Sequence, residues 1–569
     1  MIIMEKYVVD LYPSKAQFIL DELISMELEL TNLSSEDIVL NVDMKVSYLT
    51  EIVDTLKEII SVKAGKSKSF ILPAKSQNYD FRGFGVDVYL YNESTLIEII
   101  SSSFDVASSY KKAMRYGFLS DFYLKDSGDI EDIKSLRKLH LNLIQFYDWM
   151  YKHDELVPPV DEFKDQMGRT LSFKVVKDKI DACHKYGMKA MAYGAVYAAS
   201  KEFYKKHKDW ALFNSSDKAI SFIDIFQIMN ISKDCPWHWH IINEYKKAIE
   251  KADFDGIHMD TYGFPKIAIS KTKGSSKIEY LEELFPILIN DTKKELKKVK
   301  EDVCLIFNNV GNWPLNTVAK TDQEAMYIEV WKPYERYHHL KEIITWAKHL
   351  SDNKPVILAA YLRPFMEEIE VSKAETSALI ATAVIAANGA YHLLMGEKNG
   401  ILTQGYYVDY STISDSFFET IRKYYDFGVR YENVLYDNEL RDVSMTHLEG
   451  DNMEYKFENL DYSTYGEPDK VWVIVREKPT LKTINFINLT GNQEDFWNRG
   501  KAKPGIINDI VVNVSIELKI KNVFIASPDI ESGRPQELKY KVVNGERGKV
   551  LIIEISELSI WSLLSMEFE

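Results

Sequence analysis

Asp260 closes the run Phe254-Asp255-Gly256-Ile257-His258-Met259-Asp260, and Glu329 lies near the end of Met326-Tyr327-Ile328-Glu329-Val330-Trp331. Both runs are largely apolar and then break into Gly-, Pro- and aromatic-rich sequence. A carboxylate that ends an apolar strand brings a desolvation cost and no packing gain. An Asp and a Glu facing one another across a short gap have a use: one attacks or stabilises, the other donates and removes a proton.

Alternation decides which way these acids point, because successive side chains of a strand face opposite sides. Gly256, His258 and Asp260 share one face, Ile257 and Met259 the other. Tyr327, Glu329 and Trp331 likewise oppose Ile328 and Val330. Asp255 falls on the apolar face and is assigned to a helix cap or an ion pair. Glu324 and Glu335 lie outside the strand and are read as surface residues.

The elements that must position these acids begin near residue 110. Eight short apolar runs, at 116–123, 141–148, 188–193, 254–260, 303–308, 326–331, 355–361 and 390–395, alternate with helix-period segments such as 130–139, 173–186 and 277–300. That pattern predicts an α/β fold with a (β/α)8 TIM barrel over residues 109–440, the acids on its fourth and sixth strands at the C-terminal rim where barrel enzymes keep their sites. Other strand ends would bring Asp121, Tyr147, Asp148, Tyr193, His258, Asn308, Asn309, Trp331, Tyr361, His392 and Glu397 to the same rim. Such a set offers hydrogen-bond partners for hydroxyls and flat faces for C–H stacking, as a sugar site requires.

Alternating runs on either side predict a flanking N-terminal immunoglobulin-like β-sandwich over 1–108 and a C-terminal β-sandwich over 441–569. Asp495-Phe496-Trp497-Asn498 is read as a loop that packs between domains.

No metal or cofactor is expected. His238 and His240, in Cys235-Pro236-Trp237-His238-Trp239-His240, have no third partner at ligand spacing, and that stretch is read as a substrate-facing or packing loop. Cys183, Cys235 and Cys304 are scattered, with no disulfide or zinc framework. A net charge of −16 over 569 residues argues against nucleic acid and fits poorly with an anionic polysaccharide, but is compatible with a neutral ligand. No apolar run approaches membrane length, and charged residues stand where a signal peptide's apolar region would be. The expectation is a monomer that is cytoplasmic as written, or secreted if a leader has been removed.

In order along the chain stand Asp10-Leu11-Tyr12-Pro13-Ser14, Arg115-Tyr116-Gly117-Phe118-Leu119-Ser120-Asp121-Phe122 and Gln145-Phe146-Tyr147-Asp148-Trp149. Asp255-Gly256, Asp260-Thr261, Gly263, Tyr327-Ile328-Glu329-Val330-Trp331 and Gly389-Ala390-Tyr391-His392 follow. In this order they make the chain resemble glycoside hydrolase family 66, the dextranases and cycloisomaltooligosaccharide glucanotransferases. The resemblance implies a sandwich–barrel–sandwich architecture, Asp260 as nucleophile and Glu329 as acid/base. It implies retaining, endo-acting hydrolysis of α-1,6-glucosidic bonds in dextran or isomaltooligosaccharides. The alternatives are the cyclising transglycosylation and a barrel glycosidase of another linkage specificity. The cyclising branch carries a carbohydrate-binding module within its barrel; residues 110–440 have no comparable strand-rich insert, which favours the dextranase branch. The departures from the family pattern, Asn388-Gly389-Ala390 and Leu393-Leu394-Met395-Gly396-Glu397, bear on substrate preference.

Overall fold

The computed structural model describes residues 2–3, 6–448, 450–452, 454–546 and 548–569. At its centre seven strands pair in chain order, each parallel to the next: β1 (Tyr116–Leu119), β2 (Leu143–Phe146), β3 (Lys189–Ala195), β4 (Gly256–Asp260), β5 (Cys304–Val310), β6 (Ala325–Glu329) and β7 (Val356–Ala359). The eighth run is split. β8 (Tyr391–His392) pairs with β7, and β9 (Met395–Gly396) pairs with β1, so one short segment meets both edges of the sheet.

Helices return the chain between strands: α1 (Glu131–Lys138), α2 (Phe173–Lys185), α3 (Pro236–Ala252), α4 (Leu281–Leu296), α5 (Tyr337–Ser351) and α6 (Val371–Ala387), with α7 (Asp415–Arg430) after β9. Their ends follow local chemistry. The Ser172 hydroxyl accepts from Val175 N at the start of α2, and Asp253 takes the left-handed conformation (φ 64°) that ends α3. α6 is buried on nearly every side, which its Ala-, Val- and Ile-rich sequence allows, because it packs between the central sheet and the strand Leu481–Asn488. α7 packs on the N-terminal strands, where Arg430 meets Asp87 at 2.7 Å and Arg422 meets Asp10 at 2.6 Å.

Before the central sheet, two sheets face one apolar core. Val9, Leu28 and Leu72 enter it from one sheet, and Val46, Val88 and Phe104 from the other. Strand Ile24–Asn32 alternates buried and more open residues, as a sheet with one covered face should. After the central sheet, two further sheets share a core in which Val473, Phe486 and Leu564 meet Val512 and Ile553.

Two sequence expectations are corrected. Residues 277–300 are not one helix: Lys277–Tyr280 forms a strand antiparallel to Ile267–Ser270, with the Ser270 hydroxyl donating to Glu279 at 2.8 Å, and the helix begins at Leu281. Pro236 to His240 is not a loop but the first turn of α3, with Pro at the position where its missing N–H costs nothing and Trp237 fully buried.

Candidate active site

A cleft of about 460 Å³ opens where β2 to β6 end, with Tyr147, Tyr193, Asp260, Asn308, Glu329 and Trp331 among its walls. Alternation along the strands puts them there. His258 and Asp260 on β4, with Tyr327 and Glu329 on β6, turn inward together, while Ile257, Met259 and Ile328 are buried on the opposite face.

Asp260 is held at both oxygens. The Tyr193 hydroxyl donates to Oδ2 at 2.7 Å and the Asn308 amide to Oδ1 at 2.7 Å. Glu329 accepts from the Tyr361 hydroxyl at 2.5 Å and from the Trp331 indole N–H at 3.1 Å. By register Asp260 follows Met259, which is level with Phe307, and Glu329 is level with Val310. Strand tilt and stagger account for that step, and both acids open on the one cleft. Glu329 is half-buried and Asp260 is buried.

Burial pushes the Asp260 carboxyl up to about 7, with the Glu329 charge adding to it and the Asn308 and Tyr193 hydrogen bonds opposing. Burial raises Glu329 as well, opposed by its bonds from Tyr361, Trp331 and Asn308. Asn308 thus bonds Asp260 and also favours the charged form of Glu329. Two carboxyls sharing one cleft, one buried and one half-buried, do not both ionise readily, so the pair keeps a proton further into the neutral range than isolated acids would. The Trp331 N–H favours the charged form of Glu329 rather than the protonated one. Beneath the pair, burial depresses His258 to about 3, and the neutral ring lies 3.1 Å from the Tyr116 hydroxyl through Nδ1.

Tyr147, Tyr193, His258, Asn308 and Trp331 line the cleft with the acids, and Tyr361 touches Glu329. Five other expected site residues face elsewhere. Asn309 has the opposite parity to Asn308 and donates to Phe307 O and Tyr327 O within the sheet. His392 is bound between Thr382 and Ala360 O. Asp121 pairs with Lys398 at 2.5 Å, and Asp148 borders a separate crevice with Arg169 donating to its carbonyl at 2.8 Å. Glu397 accepts from Ser120 N, Ser120 Oγ and Asp121 N at 2.7–2.9 Å, which is a structural clamp. Trp149 is fully buried.

Asp255 meets His184 at 2.7 Å and Lys189 at 3.1 Å, the ion-pair role assigned to it. Glu324 is not a surface residue: it pairs with Lys293 and accepts from Leu305 N at 2.7 Å. Sequence reading passed over Gly405, Tyr406 and Tyr407, which come from the loop beyond β9. Tyr407 stacks on Tyr147 at 4.5 Å and its hydroxyl lies 2.7 Å from that of Tyr327 and 3.3 Å from that of Tyr361. Their signal was a Gly followed by paired aromatics. Met167, Phe222 and Ile223 add an apolar outer wall.

The histidines of α3 do not converge: His238 bonds Ile231 O and Asp291, and His240 bonds Asp154 O. Among the described residues His338, His339 and Glu342 bring ligand atoms within 4.8 Å of one another, but at the start of α5, outside the cleft. There His339 Nδ1 already accepts from Arg336 N, and Glu342 from Tyr465. No helix of the described residues is long and apolar enough to cross a membrane.

A cycloisomaltooligosaccharide glucanotransferase of Niallia circulans is 23% identical over 92% of this chain and 68% of its own length. A dextranase of Streptococcus salivarius is 22% identical over 76% of this chain and 60% of its own. Among solved structures, a Paenibacillus cycloisomaltooligosaccharide glucanotransferase complexed with cycloisomaltoheptaose superposes with a TM-score of 0.90 at 21% identity, covering 98% of this chain and 99% of that one. The model of glycosyl hydrolase family 66 matches residues 13–565, and the chain belongs to that family.

Proposed function

We propose that this enzyme cleaves α-1,6-glucosidic bonds of dextran or isomaltooligosaccharides with retention of configuration, through a covalent glycosyl-enzyme. The observation that carries the reading is the pairing of Asp260 and Glu329 in one cleft, with Asn308 acting on both. Asp260 is the nucleophile: deep, gripped at both oxygens, and so oriented toward an anomeric carbon. Glu329 is the acid and then the base. Its half-buried carboxyl suits a group that must meet a departing sugar and then an incoming water. In the first step the Asp260–C1 bond forms as the glycosidic C–O bond breaks, and the Glu329 proton goes to the leaving oxygen. In the second, Glu329 takes a proton from water as water oxygen replaces Asp260. Trp331, 42% exposed beside Glu329, offers a flat face for a sugar ring.

The sheet closed through β8 and β9 is read as a (β/α)8 barrel over 109–440, and the paired sheets before and after it as β-sandwiches over 1–108 and 441–569. A neutral glucan suits a cleft whose charged side chains are the two acids.

Asp260→Ala should abolish cleavage of dextran and of activated α-glucosides alike. Glu329→Ala should lose dextran cleavage by at least about 10³-fold, yet keep much of its activity on α-glucosyl fluoride, whose leaving group needs no proton. Azide should then yield the β-glucosyl azide from the Asp260 variant and the α-azide from the Glu329 variant. Near-wild-type activity in either variant sinks the assignment. The second reading hands the glycosyl-enzyme to a sugar hydroxyl instead of water, and the glucanotransferase relative favours it. Cyclic products that resist exoglucosidase would decide for it.

A further inference from the structure

Away from the cleft, where α5 and α6 end beside the C-terminal strands, lies a cavity of about 470 Å³ walled by Thr345, Lys348, His349, Asn388, Asn438 and Arg476. Arg476, on strand Val471–Lys478, is 6% exposed, and Lys348, in the last turn of α5, is half-buried. Among the described residues neither forms an ion pair. Arg476 donates through Nη1 to Leu435 O at 2.5 Å and through Nη2 to Asp437 O at 2.8 Å, which uses one hydrogen of each nitrogen and none of the charge. Lys348 has only a 3.5 Å approach from Nζ to Asn438 Oδ1.

The two cations converge on one point. A Cβ added to Gly389, whose φ of +73° already favours glycine, would stand 2.6 Å from Lys348 Nζ and 3.5 Å from Arg476 Nη1, so those nitrogens are within about 6 Å of one another. The acids on the same walls are engaged elsewhere: Asp442 pairs with Lys341 at 2.6 Å and Asp352 with Lys320. Two helix C-termini supply at most about one negative charge between them. Asp442 and Asp437 act on Arg476 from beyond ion-pair distance, and Asp437 is itself paired with Lys478 at 2.7 Å. Burial and the neighbouring guanidinium push Lys348 down to about 7, and burial lowers Arg476 against the pull of those two acids.

We infer that this cavity binds a small phosphate-bearing anion, held between the Lys348 ammonium and the free N–H groups of Arg476. Two nitrogens at this separation span the oxygens of one phosphate, and guanidinium geometry suits them. The cavity exceeds what inorganic phosphate fills, leaving room for a sugar on the phosphate. A bound anion would tie α5 to the C-terminal strand that carries Arg476.

The test is calorimetry and thermal denaturation of the full chain with inorganic phosphate, glucose 6-phosphate and glucose, against chloride at equal ionic strength. A saturable Tm rise with a phosphate ligand, on the order of 2 °C, is expected, with none from glucose or chloride. Lys348→Gln should weaken binding at least about tenfold while dextran cleavage stays unchanged. Arg476→Lys keeps a charge but not the two carbonyl bonds; should it fold poorly, Lys348→Gln still decides the matter. A much larger shift with glucose 6-phosphate than with phosphate identifies a sugar phosphate, and equal shifts identify phosphate itself. Identical responses to phosphate and chloride, or unaltered phosphate binding by Lys348→Gln, overturn the inference.

Discussion

Tyr361 and Glu329 are joined by a 2.5 Å hydrogen bond in which the phenol is the donor, and the same phenol lies 3.3 Å from the Tyr407 hydroxyl. The bond stabilises the charged carboxylate, so its removal should let Glu329 hold its proton to higher pH. Tyr361→Phe is expected to move the basic limb of the kcat/KM profile upward by about one pH unit and to lower kcat roughly tenfold. An unmoved basic limb would show that the phenol only fills space.

The acidic limb should report Asp260. Burial is the main cause that holds its carboxyl up at about 7, so activity falls as pH drops through that value and the proposed nucleophile is protonated. Glu329→Gln keeps the bulk and the uncharged form that the acid role requires at this limb. With α-glucosyl fluoride as substrate, the acidic limb of this variant should therefore stay where it is in wild type. A limb that moves to lower pH would mean that Glu329 is charged while Asp260 titrates, against its role as the acid.

Trp497 reaches across from the C-terminal region to hold the loop that follows β6. Its indole donates to Tyr334 O at 2.7 Å and its backbone N–H to Glu335 O at 3.1 Å, while Asp495 O accepts from Tyr337 N at 2.9 Å. That loop begins at Trp331. Trp497→Ala should cost about 3 kcal/mol of stability. It should also raise KM for longer glucans more than for α-glucosyl fluoride, which has no second sugar ring to stack on Trp331. Equal KM changes for both would separate the brace from the substrate.

Glu397 is a clamp, and its variants should show it. Glu397→Ala leaves two backbone N–H groups of the β1 end without their acceptor and should lower stability by on the order of 2–3 kcal/mol, with chemistry in the surviving fold intact. Burial raises the Glu397 carboxyl to about 7 from 4.5, so its ionisation opposes folding; the favourable contribution is full below pH 4.5 and is lost as pH rises through 7. The Tm of Glu397→Gln relative to wild type should accordingly improve over that window. A pH-independent difference would count against the shift.

Much of this site could be read from alternation. One parity rule placed Asp260, His258, Tyr327 and Glu329 on the cleft side and sent Asp255 to the opposite face, to a cap or an ion pair. Applied to Asn309 it would have excluded that residue too, since neighbours on a strand cannot share a face. Glu397 was illegible for another reason. A buried carboxylate after a strand looks the same in sequence whether it faces a substrate or the backbone of a strand nearly 280 residues away. Tyr407 lies beyond β9, where no periodicity constrains direction, and only the pairing of β9 with β1 brings it over Tyr147. The flanking sheets were visible as alternating runs. The split of residues 277–300 into strand and helix was not, because Lys277-Ile278-Glu279-Tyr280 fits either period when short.

The seam of the central sheet has a mechanical consequence. β8 and β9 contribute two residues each, and β9 meets β1 at a single register pair, so fewer backbone bonds hold this segment to β1 than join any other two neighbours of the central sheet. A side chain supplies what the ladder lacks: Glu397 rivets the end of β1 through two amides and a hydroxyl, with Lys179 3.5 Å from its other oxygen. Amide exchange in residues 391–396 should thus be gated by one carboxylate, and loss of the rivet should free this segment from β1 while leaving the six longer junctions zipped.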